Sequence, residues 1–404
     1  MVQVASADGK KLLSYNEKNI LDTHRLPVVS NFVFGHWFHV PPLQFKGAAY
    51  ILAFSYAIFT NAIFVMFCGA GIYNLISVAT SGFKVTVFII TELSNLIHSN
   101  SRAVFVLIRK HEVEEISTQL IKMRQRSNVI SNVARTISII FTFLILMYSL
   151  IIGLGLTSFF TQYNFENVTL ANENEIYLKN AYSNVNSTLK DTPNYIIILI
   201  VILTYILSFI GLGKIISTDV LFYSWYMQIE DQYKQLTMSL GVALLHCNRG
   251  NNDSTAHWIQ THREINWLLA RVNSVTSPCI TVSIVVNTTQ ICIVAYFVAK
   301  DTLALVHLAA LLIFASLGLF QMFMYCNLGQ KIRDQTVKLQ EAVYSMPCLG
   351  SRRDTQYASL LICNAATERA MPLPGAPFFA LSLEFFASIL GVVFTYFIVL
   401  LQFN

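Results

Sequence analysis

The sequence predicts an all-α membrane protein with seven transmembrane helices, a cytoplasmic amino terminus and an extracellular carboxyl terminus. Three observations carry this. Of 404 residues, 54% are hydrophobic and 12% charged, and mean hydropathy is +0.54, whereas a soluble domain carries about 25% charge. Seven apolar stretches reach the roughly 20 residues that a helix needs to span lipid. Lys and Arg collect on one side of the resulting topology, which marks that side as cytoplasmic.

In chain order, residues 1–46 contain no apolar core ahead of a small-residue cleavage site, so they read as a cytoplasmic segment and not a signal peptide. Spans one and two, 47–68 and 72–97, form a hairpin across Gly69, Ala70 and Gly71. Span three covers 134–160 and span four 195–216, joined by the loop 161–194. Segment 217–279 is cytoplasmic. Spans five and six, 280–299 and 303–325, form a second hairpin across Lys300 and Asp301. Segment 326–377 is cytoplasmic again, and the final segment 378–404 holds span seven, 378–403.

The side opposite the amino terminus holds the basic residues Lys179, Lys190 and Lys300, while nearly all the others lie on the amino-terminal side or at its edge. Loop 161–194 agrees with an extracellular placement. It carries two glycosylation sequons, at Asn167 and Asn186, and more acids than bases. Asn252 begins a third sequon on the cytoplasmic side, where it goes unused. The net charge of +5 therefore follows membrane sidedness and is no sign of nucleic-acid binding. Seven cysteines, an odd number spread over cytoplasmic and intramembrane segments, imply no disulfide framework.

This orientation is the reverse of a G-protein-coupled receptor. All nine prolines fall in loops or at span ends, Pro278 among them, so no span carries a proline kink. There is no Asp-Arg-Tyr after span three and no Asn-Pro-x-x-Tyr in span seven. An enzyme is excluded by the absence of HExxH, of a glycine-rich phosphate loop and of cysteine pairs at zinc spacing. No cofactor or metal is implied, and His257 and His262 read as solvated residues of a polar helix. A transporter would show inverted repeats and broken helices at mid-membrane, and neither is found.

The cytoplasmic segments have helical periodicity. Ser254 can cap a helix whose Trp258, Ile265, Leu268, Leu269 and Val272 share a face. Ile332, Leu339, Val343 and Met346 recur similarly, and Leu221, Tyr226, Met238 and Leu240 interrupt the polar length of 217–254. Either these are loops packing locally, or they extend spans four, five and seven into a shared cytoplasmic bundle.

Span seven carries a stripe of Glu384, Ser388, Gly391, Thr395 and Gln402, with spacings of 4, 3, 4 and 7 residues. Glu384 and Gln402 are 18 residues apart, or five turns of about 3.6 residues. Ile398 and Val399 occupy the turn without a polar group. Two readings stand: a packing stripe, since small residues let membrane helices approach, or the lining of a pore with an apolar constriction. Lys84 falls in the middle of span two with Glu92 eight residues on, so a partner on another helix or a water-filled cavity is expected.

The stretch GAPFFALSLEFFASILGVVFTYFIVLLQFN (375–404) resembles the carboxyl-terminal helix of insect odorant receptors, especially of their shared odorant co-receptor. The run QMFMYCNLGQKIRDQTVKLQEAVYSMPC (321–348) is similar to the same family through its Tyr-Cys-x-x-Gly and Ala-x-Tyr motifs, although Cys348 stands where that family has a tryptophan-like position. The match is specific over about the last 85 residues and architectural elsewhere. The Thr-Tyr…Gln-Phe ending also occurs in insect gustatory receptors, which leaves a homomeric tastant-gated channel as the alternative.

The resemblance implies a tetrameric, ligand-gated, non-selective cation channel in the plasma membrane of sensory neurons. It passes monovalent cations, with calcium a further candidate. The pore helix is span seven, the gate valine falls on Val399 and the pore glutamine on Gln402, with Ile398 and Thr395 beside them. The cytoplasmic segments form an anchor bundle. The co-receptor carries a longer insertion between spans four and five than 217–279, so this chain reads as an odorant-tuning subunit that forms a heterotetramer with the co-receptor. Its ligand is a small volatile organic molecule, and in this family the pocket lies in the outer halves of spans two to six. Candidates there are Tyr73, Ser77, Met147, Tyr148, Ile151, Tyr205, Thr289, Ile293 and Tyr296, where Met and Tyr offer adaptable contact area and a hydrogen-bonding tip.

Overall fold

The computed structural model describes residues 26–34, 48–78, 83–127, 132–162, 194–248, 253–300, 305–345, 353–367, 374–376 and 379–402. These are helical apart from a few connecting residues and one short strand pair. A short helix α1 (26–33) precedes α2 (Ala48–Val78), α3 (Phe83–Ile108), α4 (Lys110–Ser127) and α5 (Val133–Gln162). Then come α6 (Asn194–Asn248), α7 (Asp253–Lys300), α8 (Leu305–Tyr344) and α9 (Arg353–Thr367). Strands β1 (Pro374–Ala376) and β2 (Phe379–Ala380) pair antiparallel ahead of the last helix, α10 (Leu383–Gln402). Among the described residues, five helices are long and apolar enough to cross a membrane, and the shorter apolar stretch Ala48–Ile63 accompanies them. The chain is a multi-pass membrane protein. Both sequons, Asn167 and Asn186, lie outside the described residues, as does Met346.

The middle helices are far longer than a bilayer requires. α6, α7 and α8 run for 55, 48 and 40 residues. At 1.5 Å per residue α6 is about 80 Å long, against roughly 30 Å of hydrocarbon. The amphipathic segments are therefore continuations of spans, and their apolar faces are core: Trp258, Ile265, Leu268, Leu269, Val272, Ile332, Leu339 and Val343 are all buried. One assignment differs. The 330–346 segment extends span six, not span seven, because α9 and the β hairpin stand between α8 and α10. Within α6, every residue from 213 to 230 is buried, as expected of a helix at the centre of a bundle. α3, α5, α7, α8 and α9 pack around it.

Four further expectations are corrected. α2 runs straight through Gly69, Ala70 and Gly71 as far as Val78. A glycine costs a helix only about 1 kcal/mol, and an unbroken helix keeps its backbone bonded where no water can serve. Lys84 consequently lies in the first turn of α3 and not at mid-span. Pro278 is inside α7 and not at an end. Its missing N–H leaves the Ser274 carbonyl without a helical donor, and Arg109 Nη1 approaches that carbonyl at 3.5 Å. Finally, span seven starts at Leu383, five residues later than its apolar run. Ser382 caps it, with its Oγ accepting the Phe385 N–H at 3.1 Å.

Candidate functional site

Where α3, α6, α7 and α8 converge, the core is polar. Arg102 of α3 and Asp219 of α6 form an ion pair with side chains 0% and 4% exposed. Ions so deeply buried are tolerable only with near-complete hydrogen bonding, and the neighbours provide it. Asp219 accepts from Tyr325 Oη at 2.5 Å and from Gln321 Nε2 at 2.5 Å, both on α8. Arg102 also donates to Ser283 Oγ of α7 and to the Ile215 carbonyl, the latter at 3.3 Å. His98 Nε2 meets Ser283 Oγ at 3.0 Å. Lys214, fully buried on α6, donates to Asn61 Oδ1 at 2.8 Å and so ties in α2.

Next to this cluster lies a small cavity. Tyr148 and Phe314 form its apolar wall, with ring centroids 6.5 Å apart. His98, Asn287, Gln290 and Gln321 form the polar one. Its free volume is about 10 Å³, room for about one water and far below the roughly 300 Å³ of a small-molecule pocket. This cavity is too small for an odorant-sized molecule in this structure. Gln321 Oε1 accepts from Asn287 Nδ2 at 2.6 Å, and Gly318 lets Asn287 pack against α8.

Of the expected ligand residues, Tyr148 is buried and lines the cavity. Met147 and Ile151, one helical turn about it, are half-buried against the core. Tyr205, Ile293 and Tyr296 are half-buried without lining the cavity, and Tyr296 lies near Tyr396 of α10. Thr289 is exposed and returns its hydroxyl to the Val285 carbonyl at 2.9 Å. Tyr73 and Ser77 belong to α2 and not to the second span, with side chains outside the described residues. The cavity's polar residues were missed, though a signal existed. Asn287, Gln290 and Gln321 are amides inside apolar spans, where polar groups face the bundle interior.

The second feature is α10. None of its residues is buried. Phe385, Phe386, Ile389 and Val393 are half-buried against the core, and the helix packs on α7 and α8. At about 100° per residue, Glu384, Ser388, Gly391, Thr395 and Gln402 point to the opposite side, and all five are exposed. Ile398 and Val399 flank this stripe, 39% and 41% exposed. The packing reading is therefore excluded within one subunit: the small and polar residues face away from their own bundle.

The Tyr-Cys-x-x-Gly motif joins the two features. Tyr325 reaches Asp219. Cys326 lies close to the Ser382 backbone just ahead of α10. Gly329 admits the Leu381 carbonyl, which would lie 2.5 Å from any Cβ placed there.

A family model described as 7tm Odorant receptor matches residues 83–394. The chain is 27% identical over 146 residues to the odorant receptor coreceptors of Anopheles gambiae and of Drosophila melanogaster. Each match takes in 36% of this chain and 30% of the relative, so the chain spans under a third of the length of the curated relatives it matches. In fold it is similar to the insect olfactory receptor OR5 from Machilis hrabei in complex with eugenol. That likeness has a TM-score of 0.71 at 21% identity and covers 95% of this chain and 98% of that one. A second structure of the same receptor gives 0.70 at 20% identity over 94% and 97%. At such identity the likeness is one of fold.

Proposed function

Since the chain belongs to the 7tm odorant receptor family, we propose that it is an odorant-tuning subunit of a non-selective cation channel, assembled as a heterotetramer with the odorant co-receptor. It is not an enzyme. The observation that carries this reading is the outward polar face of α10. A helix anchored by one side, with Glu384, Thr395 and Gln402 on the other, suits a ring of subunits around a shared conduit. Val399 and Ile398 supply the apolar constriction that closes by dewetting, and Gln402 a neutral polar ring just outside it.

On this reading, residues 1–46 are cytoplasmic and 47–216 hold the ligand-binding bundle. Segments 217–279 and 326–377 form the anchor, 280–325 spans five and six, and 378–404 the pore helix with the carboxyl terminus outside. A small volatile ligand enters near Tyr148, with Met147 and Ile151 beside it and Tyr73, Ser77, Tyr205, Thr289, Ile293 and Tyr296 toward the outer ends. The ligand opens the channel only to the extent that it binds the open form better than the closed one. The place of action is the plasma membrane of sensory neurons.

The test is whole-cell current in cells expressing the chain alone and with the co-receptor, against a panel of volatile esters, alcohols, aldehydes, terpenes and phenols. Evoked current only with the co-receptor is the expected result. Current from this chain alone points instead to a homomeric, gustatory-like receptor. In the co-expressed channel, Val399→Ala is expected to raise resting current several-fold, because a smaller side chain keeps the constriction wet. Unchanged resting current and permeation at normal surface density would remove Val399 from the gate.

A further inference from the structure

We infer that Gln321 is the coupling residue of this receptor: it holds the α8 turn that carries the last helix, and it releases that turn when a ligand occupies the cavity beside it. The inference rests on the channel reading above.

Gln321 is 6% exposed and uses both ends of its amide between different helices. Its Oε1 accepts from Asn287 of α7 at 2.6 Å, and its Nε2 donates to Asp219 of α6 at 2.5 Å. Its backbone carbonyl accepts from Tyr223 Oη at 3.4 Å. It therefore clamps α8 to both neighbours. Gln321 and Asn287 are also walls of the cavity, so a ligand bearing an oxygen competes for the bond between them.

The far side of the same stretch of α8 touches the last helix. Phe323, two residues on and about 200° around the helix, meets Phe386 of α10 edge-on with centroids 5.7 Å apart. Gly329 packs directly on the backbone of Leu381, and Cys326 lies close to Ser382. A shift of this one turn is thus felt at the base of α10. An amide suits the position because it donates to a carboxylate and accepts from another amide at once. Leucine would fill the space and do neither.

A residue that merely stabilises the fold would lower the amount of receptor without changing its resting state. The full chain is expressed with the co-receptor, carrying Asn287→Leu, Gln321→Leu or both, and two quantities are measured. One is resting current per surface receptor. The other is the rate of disulfide formation between Phe323→Cys and Phe386→Cys under a mild oxidant, in a Cys326→Ala background. Asn287→Leu is expected to raise resting current about five- to tenfold, the worth of one buried hydrogen bond. Gln321→Leu should raise it at least as much, because it also removes the bond to Asp219, and each should change the cross-linking rate. The double variant should do no more than the larger single, since both remove the same bond. Resting current and cross-linking both within about twofold of the parent at normal surface density, or effects that multiply in the double, would overturn the inference. Asn287→Ala leaves Asp219 with its other partners, and it decides the matter if Gln321→Leu fails to reach the surface. Cross-linking needs no current, so failure of the coupling is distinguishable from failure of the channel reading.

Discussion

Asp219→Ala is expected to reduce the surface amount of this receptor at least about tenfold, because breaking a buried ion pair costs on the order of 3–5 kcal/mol. The substitution strands Arg102, whose side chain is 0% exposed. It also removes the acceptor of the Tyr325 hydroxyl and of the Gln321 amide. Asp219→Asn keeps the shape and one acceptor, so it should fall between. The double variant Arg102→Leu with Asp219→Leu removes both charges and should recover much of the loss, as apolar replacements of buried pairs often do. Surface biotinylation and thermal unfolding of the detergent-solubilised protein measure all three. Wild-type surface amount and unfolding temperature for Asp219→Ala would show that the pair contributes nothing to the fold.

Gly329→Ala is expected to abolish most evoked current while leaving much of the protein at the surface. A Cβ at this position would lie 2.5 Å from the Leu381 carbonyl oxygen and 3.1 Å from the Leu381 Cβ. The obstacle is backbone, so α8 and the start of α10 must part. Overpacking of this kind costs about 1–3 kcal/mol, and here it falls where the last helix is held. Gly241→Ala is the control. Nothing stands within 4 Å of its Cβ, and alanine favours a helix by about 1 kcal/mol over glycine, so that variant should be neutral or slightly stabilising. Equal currents from Gly329→Ala and Gly241→Ala would mean that this contact does not hold the last helix.

The features legible in the sequence were those with a local period. The stripe from Glu384 to Gln402 and the faces of Trp258 to Val272 and Ile332 to Val343 recur at helical spacing, and the structure puts the former outside and the latter inside. Met238, grouped by sequence with the apolar positions of its segment, is 76% exposed, since a single apolar residue specifies no face. The Arg102–Asp219 pair left no such trace. Its members are 117 residues apart, each among residues that read as cytoplasmic and polar, and only the convergence of four helices makes them partners. Likewise Gly-Ala-Gly permits a turn without requiring one, and α2 runs through it to Val78. Pro278 looked like a terminator because its freed carbonyl finds Arg109 only in three dimensions.

The outward face of α10 also bears on what becomes of a copy that never meets a partner. In a lone subunit Glu384, Thr395 and Gln402 are exposed, and polar groups left against lipid are costly. On the proposed channel reading, a stripe that lines the conduit of a complete ring is, in an orphan subunit, a mark of incompleteness. If the proposed assembly with a co-receptor holds, the amount of this protein at the cell surface should follow the amount of co-receptor expressed beside it, which surface biotinylation at graded co-receptor levels would measure.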